Sequence, residues 1–284
     1  GIFSILLVLA RTPLLQRVFP IADFFHVALV VHVDFSVLAW FLAFAGLLWS
    51  LNSTVRLLGL GWSALALSAL GAAGMGAAPF LGPAQPVMSN YIPVLEQPLF
   101  LVGLTLFAMG FGILVCRSML TAPRVGVRPD GAAALRFGLN AAAVSGAVAL
   151  LAFGWSYAKL PHTLDGKAYY ELLFWGGGHV LQFTYTLLMM VAWLWLSSAM
   201  GAKIPLSPRV ILLLFGIGLV SVFATPIVYL AYDIGSVEHH RALTWLMRSG
   251  GGLAIGPLVA ALLVAFVRLK AASSHARLLR SALL

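Results

Sequence analysis

Histidine has more chemistry to offer than any other residue type in this chain, and three of the seven histidines fall inside long apolar segments. An ionisable group at the centre of a membrane-spanning helix costs about 2.5–3.5 kcal/mol on insertion scales, so each one asks for a reason. His26, His32 and Asp34 share one segment and His179 lies in another. Glu171 and Asp233 sit near segment ends, where snorkelling lowers the cost. Imidazole is the usual protein ligand for heme iron and also suits copper. At helical rise, His32 lies about eight residues, roughly 12 Å, in from one end of its segment, and His179 lies about nine residues in from the same side. A shared depth on separate helices is what an intramembrane cofactor requires. The bland alternative is a histidine hydrogen-bonded to a neighbouring helix.

The surroundings of His179 read Phe174-Trp175-Gly176-Gly177-Gly178. Each glycine in a helix costs roughly 0.5–1 kcal/mol of propensity, which close approach by a flat ligand or by another helix would offset. Ser249-Gly250-Gly251-Gly252 repeats the pattern without a histidine and reads as helix packing. His239 and His240 follow Glu238, and a histidine pair beside a carboxylate invites a metal reading. Adjacent side chains diverge, however, so a solvated pair at the membrane interface is expected there. His162 and His275 fall in a loop and a tail and carry little signal. Cys116 is the single cysteine, which excludes a disulfide framework or a thiolate metal site within the chain. Met189-Met190 is the only adjacent methionine pair, a thin basis for a copper path. No nucleotide loop, nucleophile elbow or zinc-protease signature is present.

The elements that must position these residues are membrane helices. Apolar residues make up 62% of the chain and charged residues 9%, more apolar surface than a water-soluble core could hide. A spanning helix needs ~20 mostly apolar residues to cross ~30 Å of hydrocarbon. Seven such spans are expected near 24–51, 57–80, 94–120, 132–157, 170–198, 209–232 and 243–269. An apolar stub at 2–10 is too short to cross and reads as the end of a helix that begins upstream. The loop at 80–95, with Gly82, Pro83, Pro86, Asn90 and Pro93, prefers ordered turns to another helix. The expected architecture is all-α, a polytopic bundle of seven full spans plus a partial N-terminal one, in a single membrane domain over 1–284.

The net charge of +9 has no stripe with interleaved aromatics that would favour nucleic acid. It follows the positive-inside rule instead. With the stub ending outside, Arg56, Arg117, Arg124, Arg128, Arg136, Lys203, Arg209, Arg268, Lys270, Arg277 and Arg280 fall inside. Arg11, Arg17, Lys159, Lys167, Arg241 and Arg248 fall outside, eleven against six.

Together these segments resemble subunit I of the heme-copper oxidase superfamily, with the B-type cytochrome c oxidase branch the nearest in loop lengths. The stretch Thr12-Pro13-Leu14-Leu15-Gln16-Arg17 through Phe24-Phe25, Leu29 and His32 is similar to the family's passage from helix I into helix II, where His32 matches the low-spin heme ligand. Leu173 through His179 is similar to the helix VI motif, where His179 matches a copper ligand of the binuclear centre. Ser207-Pro208-Arg209 through Ala224-Thr225-Pro226 is similar to helix VII, and the last span resembles helix VIII in length. The chain departs from the pattern at Leu230 and Ala231, which stand where the family has a His-His pair, and at Phe183, which stands where it has a tyrosine. The helix X segment that carries further heme ligands has no counterpart in these 284 residues.

The resemblance implies a heme-binding electron-transfer subunit of a respiratory complex in a bacterial cytoplasmic membrane, an oxidoreductase relative that does not itself reduce oxygen. It implies heme b on His32, with the second axial ligand open among His179, His239, His240 and another chain. His179 is a candidate for heme iron or for copper, although copper is not expected with one ligand of three kept. No catalytic residue is assigned. Asp34, Gln182 and Tyr229 are the polar residues that would tune the site. Glu96, near a span end, is a poor candidate for proton transfer. Expected partners are the lipid bilayer, other membrane subunits, and a cytochrome c or cupredoxin-type subunit, with no nucleic acid. A cofactor-free structural or assembly subunit, and a carrier for copper or heme using His26, His32 and His179, are the alternatives.

Overall fold

The computed structural model describes residues 1–12, 24–126, 128, 130–161 and 163–268. Residues 13–23, which carry part of the resemblance together with Arg17, lie outside the described residues, as do His162, Lys270, His275, Arg277 and Arg280.

Seven helical stretches are long and apolar enough to cross a membrane: Phe24–Leu51, Leu58–Phe80, Pro98–Thr121, Gly131–Lys159, Gly166–Ala199, Pro208–Ala231 and Val237–Arg268. The chain is an all-α polytopic bundle, and an integral membrane protein by the length and composition of its helices. The helices are α1 (Ile2–Ala10), α2 (Phe24–Val33), α3 (Trp40–Leu51), α4 (Leu58–Ala77), α5 (Pro98–Thr121), α6 (Gly131–Lys159), α7 (Gly166–Ala199), α8 (Pro208–Phe223), α9 (Thr225–Ala231), α10 (Val237–Leu246) and α11 (Gly252–Arg268). Two spans are interrupted by π-turns, Asp34–Ala39 between α2 and α3 and Met247–Gly251 between α10 and α11. Such wide turns inside helices recur at functional sites.

Three span starts differ from expectation by four residues or more, one of them α7, which opens at Gly166 rather than near 170. Val94–Glu96 is a strand rather than the start of a span, and it pairs antiparallel with Gln85–Val87 to make a small hairpin across the bundle's end. Pro98 then opens α5, as a proline at the first helical position should. The last span begins at Val237, six residues earlier than expected, because the Ser236 hydroxyl accepts from the His239 amide and caps it. Arg241, which precedes the expected span, is therefore in the helical segment, as Arg248 is.

The helices pack as two pairs, α4 with α5 and α6 with α7, with α8 against α6 and α11 against α8. Small residues set the closeness of the first pair. A methyl on Gly71 would lie 2.5 Å from the Gly103 carbonyl oxygen and one on Gly103 2.8 Å from the Gly71 carbonyl oxygen, so neither position tolerates a side chain. Long apolar side chains such as Trp40, Leu51, Val220, Leu253 and Val267 face outward, where acyl chains cover them.

Candidate functional site

The glycine run before His179 holds aromatic rings. A methyl on Gly176 would strike the Tyr229 phenol, one on Gly177 the Phe153 ring and one on Gly178 the Tyr91 ring. Three rings from α9, α6 and the hairpin thus fill the space beside α7. Of the two ways to offset the glycine cost, close approach by neighbouring elements is the one used.

The ring against Gly178 belongs to Tyr91, whose backbone takes a left-handed conformation with φ 69°. It is held there by its neighbour: the Asn90 amide and side-chain nitrogen donate to the Glu171 carboxylate at 3.3 and 2.9 Å. The Tyr91 hydroxyl lies 3.1 Å from Nε2 of His179, with ring centroids 4.9 Å apart. On the other side of the imidazole, Nδ1 lies 2.8 Å from the Trp175 carbonyl one turn back. A carbonyl only accepts, so Nδ1 carries the proton and Nε2 presents its lone pair. Thr244 Oγ1 is 3.2 Å from the same Nε2, but its hydrogen goes to the His240 carbonyl at 2.8 Å. Tyr91 is then the donor to His179. Burial and the Glu171 charge push the Tyr91 phenol up to about 12, so it keeps that proton at neutral pH.

His239 overturns the expectation of a solvated pair: it is 1% exposed, with neither ring nitrogen hydrogen-bonded among the described residues. Its ring meets Tyr229 edge-on at 4.8 Å. The Tyr229 hydroxyl donates to the Ala152 carbonyl at 3.1 Å and accepts from Ser156 at 2.8 Å. His240 is half-buried, donating from Nδ1 to the Ser236 carbonyl at 2.9 Å and packing on the Trp175 indole at 4.5 Å. The indole also touches His179, at 4.8 Å, so two histidines, His179 of α7 and His240 of α10, pack on one tryptophan, and the His239 ring lies 5.9 Å from that of His240. The two adjacent imidazoles do diverge, at 75° and 5.9 Å. Among the described residues no three His, Cys, Asp or Glu side chains are arranged to hold a metal ion.

His32 occupies another neighbourhood. It is half-buried on α2, facing α1, with Nδ1 3.4 Å from the Ser4 hydroxyl and no hydrogen bond from Nε2 among the described residues. His26, at the start of α2, is exposed and meets the Phe25 ring edge-on. Asp34 opens the first π-turn, 1% exposed, with both carboxylate oxygens unpartnered among the described residues. Leu230 is 76% exposed at the end of α9. Gln182 has a buried carbonyl oxygen with no partner among the described residues and lines a cleft of about 420 Å³ with Phe41, Tyr185 and Arg248.

Sequence reasoning passed over Tyr91 because an aromatic residue in a proline-rich loop has no periodicity to mark it. It passed over the burial of His239 because the helix cap that turns it inward depends on Ser236, three residues away.

Fold and site together define a seven-span helical membrane protein with an aromatic-lined histidine cluster at its hairpin end. At the next level down, the chain is 25% identical over 290 residues to an uncharacterized protein of Rickettsia prowazekii (strain Madrid E), covering 89% of this chain and 54% of that one. It is 29% identical over 194 residues to an uncharacterized protein of Aquifex aeolicus (strain VF5), covering 68% of this chain and 48% of that one. The chain spans about half the length of the curated relatives it matches. No family model and no solved structure matches it.

Proposed function

We propose that this chain is a heme-binding electron-transfer subunit of a respiratory complex in a bacterial cytoplasmic membrane, similar to B-type oxidase subunit I, which carries electrons without reducing oxygen itself. The observation that carries the reading is the state of His32: a membrane-embedded imidazole with Nδ1 near a hydroxyl and Nε2 without a hydrogen-bond partner among the described residues. An axial ligand is oriented in this way, one ring nitrogen steadied by an oxygen and the other offering its lone pair. The fit is at His32 rather than along Gly176 to Gly178, where aromatic rings fill the space a macrocycle would need.

Heme bound there supplies a one-electron iron couple. The chain's own residues do the rest. Ser4 limits rotation of the His32 ring, and the apolar side chains of α2 and the lipid keep water from it. The Trp175 carbonyl fixes the His179 tautomer, and Tyr91 holds a proton against Nε2. His179, held by Tyr91, and His239, with both ring nitrogens unpartnered among the described residues, lie in a different neighbourhood from His32, so either would have to move to share its iron. A partner subunit bringing its own ligand is the third route, and a cytochrome c or cupredoxin-type donor is the class of partner that fits.

The satisfied state of His179 favours a second reading, a cofactor-free structural or assembly subunit. A reduced-minus-oxidised visible spectrum of purified protein, with His32→Ala and His179→Ala alongside, separates the two. A low-spin b-type band lost in His32→Ala is expected. A colourless preparation from membranes whose other heme proteins remain loaded sinks the heme reading and leaves the scaffold. A band present but exchanging readily with added apo-acceptor would make the chain a carrier.

A further inference from the structure

Arg117 is a charged side chain only 5% exposed at the end of α5 away from the hairpin. Its Nε donates to the Leu57 carbonyl at 3.1 Å and one terminal nitrogen to the Thr54 carbonyl at 3.3 Å, so it clasps the turn between α3 and α4. Leu57 presents its carbonyl from a left-handed backbone, φ 55°, and Gly61 leaves room for the guanidinium, since a methyl there would lie 3.2 Å from Nε. Guanidinium has five donors, and the clasp uses two. No carboxylate pairs with it; among the described residues the one ion pair joins Lys167 and Glu171 near the other end of the bundle.

Arg117 also forms one end of a cleft of about 660 Å³ between α3, α4 and α5, within the ~300–1,000 Å³ span of small-ligand sites. Gly46, Ser50, Gly61, Ala64, Ser68 and Ala72 line its sides, too small to fill it. The α4–α5 seam is closed by Gly71 and Gly103, so the cleft is the room left where α3 stands off the pair. The surrounding end of the bundle carries Arg56, Arg124, Arg136 and Lys203 against one described carboxylate, Asp130. An apolar slot running into the membrane from an uncompensated buried cation has the complementarity of one ligand class.

We propose that this cleft binds an anionic phospholipid, one acyl chain between α3 and α4 and the phosphate on Arg117. Basic pockets between spanning helices on the positively charged side of a membrane protein hold acidic headgroups in this way. A zwitterionic headgroup brings the same phosphate together with a fixed ammonium that Arg117 and the surrounding cations repel, so the preference falls on the headgroup with net negative charge.

The test is lipid binding by the full chain in detergent, followed by native mass spectrometry during titration with phosphatidylglycerol or phosphatidylcholine of the same acyl chains. One tightly retained phosphatidylglycerol is expected, with a preference of about fivefold to tenfold over phosphatidylcholine, the worth of one interfacial Arg contact. Arg117→Gln should lose the preference while still admitting either lipid, and Arg117→Lys should keep part of it. Ala43→Phe, which places a ring in the cleft and leaves the clasp intact, should abolish retention of both. Inorganic phosphate at millimolar concentration should not compete. Equal binding of the two lipids by the parent, or an unchanged preference in Arg117→Gln, overturns the proposal and leaves Arg117 as a turn clasp only. If Arg117→Gln cannot be purified, Ala43→Phe decides: undiminished retention of phosphatidylglycerol also overturns it.

Discussion

Tyr91 joins the hairpin to the membrane-embedded histidine cluster through a single hydroxyl. Its hydrogen bond to His179 is the one contact that both satisfies Nε2 and anchors the loop's left-handed turn. Tyr91→Phe should therefore cost about 1 kcal/mol, the usual worth of a buried hydrogen bond, and lower the melting midpoint in detergent by a few degrees. The phenol also sets a pH dependence. Its value in the folded chain is raised to about 12 from an ordinary 10, so the folded state holds this proton more tightly than the unfolded state does. Stability from this group is complete below pH 10 and declines as pH rises toward 12. The difference between parent and Tyr91→Phe melting midpoints should shrink across that interval; a constant difference would mean that the phenol titrates normally in the fold.

At the scale of elements, α7 carries the most information per residue. Its three glycines are each matched to an aromatic ring on a different neighbour, so helix propensity and packing pull in opposite directions. Gly178→Ala gains roughly 0.5–1 kcal/mol of propensity but drives a methyl into the Tyr91 ring, an overpacking cost of about 1–3 kcal/mol. The net expectation is a lower midpoint together with a changed environment at Tyr91, read by near-ultraviolet circular dichroism. A higher midpoint would show that the hairpin can move away without loss. The π-turn before α11 shows the same opposition relieved: Gly250 packs against Ser221 and Phe183, whereas Gly251 and Gly252 meet nothing and border the cleft with Arg248.

The whole molecule is a bundle whose two ends differ in kind. One end carries the hairpin, the histidine cluster and the carboxylates Glu96, Glu171 and Glu238; the other carries most of the loop cations. The positive-inside rule predicts that the hairpin end faces out of the cytoplasm. In a Cys116→Ser background, Thr163→Cys should react with a membrane-impermeant maleimide in intact cells, and Gly126→Cys only after permeabilisation. The reverse pattern would invert the bundle and place the histidine cluster on the cytoplasmic side.

The seven spans were legible in the sequence because burying a backbone in lipid demands long uninterrupted apolar helices, a requirement that composition alone reveals. The depth expected to be shared by His32 and His179 was a count from expected span ends, and α7 opens at Gly166, four residues before the expected 170, so His179 lies further along its helix than that count gave. What the counting could not supply was rotation about the helix axis and the choice of neighbours. His239 turned inward because a serine three residues before it caps a helix. Tyr91 reached His179 because a glycine left room for its ring, and Arg117 came to border a cleft because α3 stands apart from the close-packed α4–α5 pair. Each of these depends on side chains from separate elements meeting in space, and only the tertiary structure decides which elements meet.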